Sequence, residues 1–147
     1  MDARRIHILV VEDHRDTLEV LARLLQMDGF TVAAVSHPSQ AIEAARRQHF
    51  DAIVTDIHMP EMNGVEMLAR IRAYSSAPAL AVSALGMADD IKDAMSNGFA
   101  EYILKPVALI TVVAAIHRVL KNHRGHPDEL SPIPTPPVPP PGGSANP

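Results

Sequence analysis

Cysteine and tryptophan are absent from this 147-residue chain, and aromatic residues make up only 3% of it. Without cysteine there is no disulfide framework and no thiolate zinc site. So few aromatic rings cannot build the stacking platform that holds single-stranded nucleic acid. A basic excess is missing too. Thirteen Lys plus Arg stand against 17 Asp plus Glu, a net charge of −4 with histidines neutral, which argues against a broad nucleic-acid-binding surface. No apolar run approaches a membrane span, and Met1-Asp2-Ala3-Arg4-Arg5 leads into a strand-like stretch instead of a signal-peptide core. The eight histidines are scattered without ligand spacing, which weighs against a histidine-based transition-metal centre. A soluble cytoplasmic protein is the expectation that these absences leave.

What is present divides the chain unevenly. Nine of the 13 prolines lie beyond Gly125. Proline fixes φ and lacks the backbone donor, so residues 125–147 are expected to form a disordered Pro-rich tail. Its Pro134-to-Pro137 spacing also fits a PxxP ligand. Residues 1–124, in a chain that is 47% hydrophobic, suit one domain with a real core.

Within that domain two periods alternate. Buried strands are predicted at Ile6 to Val11, Thr31 to Val35, Ala52 to Thr55, Ala79 to Ser83 and Ala100 to Leu104. Helical faces fall between and after them: Leu18, Leu21, Leu24 and Leu25; Ala41, Ile42 and Ala45; Val65, Leu68 and Ile71; Ile91, Ala94 and Met95; then Leu109, Val112, Val113, Ile116 and Leu120. Pro38 suits the first turn of the second helix, and Gly29 and Gly98 sit where left-handed caps are wanted. Alternating strands and helices imply an α/β fold, a five-stranded parallel sheet covered on both faces. Right-handed crossovers leave few topologies, among them the flavodoxin-like, doubly wound order 2-1-3-4-5 with five helices.

Such sheets bind ligands beyond the carboxyl ends of their strands. The first strand ends in Glu12 and Asp13, the third in Asp56 and the fourth in Ser83, and Lys105-Pro106 follows the fifth. Singly, each has a plain structural use: a turn former, a helix cap, a dipole complement or a surface lysine. Together they crowd carboxylates at an electrostatic cost that a divalent cation would remove, and hard oxygen ligands describe a Mg²⁺ site. A carboxylate beside Mg²⁺, an ammonium and a hydroxyl can act as nucleophile toward a phosphoryl group and form an acyl phosphate.

Four segments carry a family resemblance: ILVVEDH (8–14), IVTDIHMPEMNG (53–64), ALAVSA (79–84) and EYILKP (101–106). In this order and spacing the chain resembles the receiver domain of two-component response regulators, in the manner of single-domain, chemotaxis-regulator-like members. The resemblance implies that Asp56 accepts phosphoryl from the phosphohistidine of a sensor histidine kinase or phosphotransfer protein. It implies Mg²⁺ held by Asp13 and Asp56, by Glu12 largely through water, and by the backbone carbonyl of His58. Ser83 would be the switch hydroxyl, Lys105 the phosphoryl-pairing ammonium and Tyr102 the switch aromatic, with a cis Lys105–Pro106 bond. Val107 and Phe99 depart from the commonest family pattern, at positions expected to affect packing rather than the pocket.

The resulting expectation is a phosphorylation switch, not an enzyme on other substrates, without an output domain or direct DNA binding. It would signal to a protein effector through the face of helix 4, strand 5 and helix 5, roughly Ala88 to Lys121. Alternatives are an intermediate relay to another histidine and a phosphorylation-independent interaction module of the same fold. A Mg²⁺-dependent phosphatase is disfavoured because no Asp stands two residues after Asp56.

Overall fold

The computed structural model describes residues 5–84, 86–105 and 108–124. The expected tail and the Lys105–Pro106 bond therefore lie outside the described residues, as does Val107. The elements run β1 (His7–Val11), α1 (Arg15–Met27), β2 (Thr31–Val35), α2 (Pro38–Arg47), β3 (Ala52–Asp56), α3 (Gly64–Ile71), β4 (Ala79–Ser83), α4 (Ala88–Ser96), β5 (Glu101–Leu104) and α5 (Leu109–Arg124).

All five strands are parallel and form one sheet in the order β2-β1-β3-β4-β5, as the sequence predicts. β3 and β4 are buried along their whole length, which explains their unbroken apolar runs. Strand alternation then sorts side chains onto two cores. One holds Ile8, Val10, Val54 and Leu80 with Leu21 and Leu25 of α1 and Val112 and Ile116 of α5. The other holds Leu9, Ile53 and Ala79 with Ala41 of α2, Leu68 of α3 and Ala94 of α4. Phe99 belongs to the second core.

Local signals work as expected at the helix ends. Pro38 opens α2, and Gly29 and Gly98 take φ of +99° and +101° just past α1 and α4. The differences concern extent and burial. β1 and β5 each begin one residue later than predicted, and β2 and β5, predicted as buried, are largely half-buried because they are the two edges of the sheet. β3 continues one residue further than predicted, so that Asp56 is itself the last strand residue. Met95, predicted on the inner face of α4, is 44% exposed, because Ala94 alone of that helix is fully buried and the contact stripe is narrow. No helix of the described residues is long and apolar enough to cross a membrane.

Candidate functional site

The site begins with register. Val11 of β1 is the partner of Thr55 of β3, so the next residues, Glu12 and Asp56, emerge side by side at the carboxyl edge. β1 is held in line there by the Glu12 amide, which donates to Val35 O at 3.1 Å. At the far side the Lys105 amide donates to Ser83 O at 2.8 Å, tying the end of β5 to the end of β4. Four loops thus start from a single rigid edge.

Lys105 reaches back across this edge. Its Nζ donates to Asp56 Oδ2 at 2.9 Å and to Glu12 Oε1 at 3.2 Å. Each carboxylate has a second, backbone donor: the His58 amide to Asp56 Oδ1 at 3.1 Å, and the His14 amide to Glu12 Oε2 at 3.0 Å. Asp56 and Glu12 are buried, whereas Asp13 is exposed. One carboxylate oxygen from each of the three lies within 4.8 Å of the others. These are hard oxygen donors, two buried and one open to solvent, and they fit a small divalent cation.

The electrostatics follow from burial. Desolvation pushes the Glu12 carboxyl above its usual range, against the pull of the His14 amide and Lys105, and the Asp56 charge adds to the rise. For Lys105, burial disfavours the ammonium, yet the hydrogen bond and charge of Asp56, then those of Glu12, outweigh it and raise its pKa. The lysine is therefore firmly cationic. Beneath this polar end, between α1, α5 and the sheet, lies a cavity of about 530 Å³ whose walls include Val10, Leu21, Val54 and Val112.

The chain matches the response regulator receiver domain family over residues 8–117. It belongs to that family. DNA-binding response regulator MtrA of Mycolicibacterium smegmatis is 31% identical over 130 residues, 88% of this chain and 57% of the relative. The chain thus spans little more than half of that regulator. Among solved structures, a CheY-like receiver domain protein from Methanospirillum hungatei superposes with a TM-score of 0.79 at 20% identity, covering 84% of this chain and 99% of that one. A receiver domain protein from Clostridium thermocellum gives 0.73 at 25% identity, covering 81% and 97%.

Of the residues predicted for this receiver's site, Glu12, Asp13, Asp56 and Lys105 come together directly. His58 joins them through its backbone amide, which donates to Asp56, and the residue is exposed. Ser83 is fully buried at the end of β4, one position beyond Val82, the partner of Asp56. By strand alternation Ser83 belongs to the opposite face of the sheet, the face of half-buried Tyr102, whose partner is Ala81.

Two contacts at the site were not anticipated. The Thr55 hydroxyl donates to the Asp56 carbonyl at 2.7 Å. A Cβ at Gly64 would stand 2.6 Å from that same oxygen, so only glycine allows the loop to close against β3. A lone threonine in an aliphatic strand and a glycine eight residues after Asp56 were the available signals.

Proposed function

We propose that Asp56 is the phosphoacceptor of this receiver domain. The observation that carries the reading is the buried Asp56 carboxylate at the end of the central strand, hydrogen-bonded to Lys105 and set beside Glu12 and Asp13. A carboxylate oxygen of Asp56 attacks the phosphorus of a phosphohistidine. The P–O bond forms as the P–N bond breaks, and the imidazole nitrogen leaves with the electron pair and takes up a proton. Lys105 pairs with one phosphoryl oxygen, and Ser83 reaches another over the carboxyl edge of the sheet, from the face it shares with Tyr102.

Mg²⁺ would be held by Asp13 and Asp56, by Glu12 through water, and by the His58 carbonyl. Bound there, it supplies neutralisation of negative charge on the phosphoryl oxygens. One oxygen from each of the three carboxylates within 4.8 Å of the others supports this reading.

The phosphoryl donor in this reading is a sensor histidine kinase or phosphotransfer protein in the cytoplasm. The receiver occupies residues 1–124 ahead of the tail and signals to a protein effector through α4, β5 and α5. That face carries Met87, Leu104 and Ile110 at 71%, 44% and 66% exposure, apolar surface that a partner would cover.

Incubation with Mg²⁺ and a small phosphodonor, followed by intact-mass measurement, tests the assignment. One base-labile phosphoryl is expected on the wild type and none on Asp56→Asn. Labelling that persists in Asp56→Asn overturns it, and rapid multiple turnover to free phosphate would point to an enzyme.

A further inference from the structure

Helix α2 begins without the usual support. His37 at its N-cap makes no side-chain capping bond, Pro38 has no N–H, and no acidic residue stands in the first turn. The Ser39 amide is therefore the first donor that needs an acceptor from outside the helix. It finds one on a different loop. Glu61 Oε1 lies 3.5 Å from Ser39 N and 3.4 Å from Ser39 Oγ, and its charge suits the positive end of the helix.

Glu61 is also the one non-glycine residue with positive φ, +85°, among the described residues. Around it the Met62 amide donates to Pro60 O at 3.0 Å, which makes Pro60-Glu61-Met62 a γ-turn of the rare, strained hand. The rest of the loop is tied to the pocket. The Gly64 amide donates to Ile57 O at 2.7 Å and the His58 amide to Asp56 Oδ1 at 3.1 Å, and Met59 and Met62 pack on the core of the α2 side. A strained turn persists only where its surroundings hold it. Here the hold at the tip is the contact of the Glu61 carboxylate with Ser39 at the start of α2.

We infer that Glu61 is a positioning residue for the phosphoacceptor pocket, clamping the loop that carries His58 onto the start of α2 and so setting the pocket's affinity for Mg²⁺. The inference rests on the metal site proposed above. Glu61 is exposed, so its substitution leaves the core intact.

Calorimetric titration of the full chain with Mg²⁺ alone, paired with thermal melts, provides the test. Glu61→Ala is expected to weaken Mg²⁺ binding by about fivefold to tenfold, the equivalent of losing a helix cap. Glu61→Gln keeps an acceptor for both Ser39 donors and is expected to recover most of that loss. Glu61→Gly relieves the strain, so its melting temperature should recover while its affinity stays low. Such a split separates positioning from mere stability. Binding within twofold of the wild type in Glu61→Ala, or full affinity in Glu61→Gly, overturns the inference and leaves the pocket assignment standing. A wild-type chain that takes no Mg²⁺ overturns the pocket assignment, and the clamp's role with it.

Discussion

Replacing Lys105 by Met removes the ammonium and keeps the length of the apolar stem. Two hydrogen bonds are lost, at 2.9 Å to Asp56 and 3.2 Å to Glu12, whose side chains are only 10% and 7% exposed. Hydrogen bonds to charged groups contribute about 1.5–3 kcal/mol each. Part of this is offset because the lysine, itself 28% exposed, no longer has to be desolvated. What remains is two carboxylates facing each other, and the expected net loss without Mg²⁺ is about 2–3 kcal/mol. In urea that corresponds to a midpoint lower by roughly 1 M or more. Circular dichroism is the natural probe, since the chain has no tryptophan. The effect on Mg²⁺ has the opposite sign. Freed of a competing ammonium, the carboxylates should bind the ion about tenfold more tightly, a gain of about 1.4 kcal/mol. Saturating Mg²⁺ should therefore offset about half of the lost stability, while phosphorylation of Asp56 falls because the phosphoryl loses its cationic partner. A midpoint unchanged in metal-free buffer, or Mg²⁺ binding that weakens in Lys105→Met, would refute the reasoning.

Gly64→Ala places a methyl 2.6 Å from the Asp56 carbonyl, so the end of β3 or the start of α3 must shift. Expected results are a loss of about 1–3 kcal/mol and slower phosphorylation than the stability change alone explains; unchanged labelling kinetics would contradict this. Glu43 gives a pH prediction of a different kind. Hydrogen bonds from Arg46, then Arg47, lower its pKa from 4.5 to about 2. A depressed carboxylate contributes stability above its ordinary pKa and loses it as pH falls through the folded value, so the contribution should fade between pH 4.5 and about 2. The pair is exposed, so the effect is small and salt-sensitive, and Glu43→Gln should show a flatter stability profile across that window. Carboxyl NMR of Glu43 showing an ordinary midpoint would rule this out.

Much of this receiver was legible in the sequence because the informative signals are local. Apolar runs of strand length, helical spacing and the placement of Pro38, Gly29 and Gly98 depend on backbone geometry within a few residues. Parallel strands then carry Glu12, Asp56 and Ser83 to one edge, whatever the detailed packing. Residue patterns alone were thus enough to establish the parallel sheet and the edge on which the chemistry gathers, while they left the strand order among a few topologies, one of which the family resemblance favoured. They did not determine contacts between loops. Lys105 lies 93 residues from Glu12 and 49 from Asp56, and their bridge exists only because the crossovers seat β5 at one edge of the sheet and bring the residue that follows it back over the pocket. The clearance at Gly64, the Glu61 clamp on α2 and the exposure of Met95 have the same origin. Each depends on distances between elements fixed by side-chain packing in the two cores, and no periodicity along the chain encodes those distances.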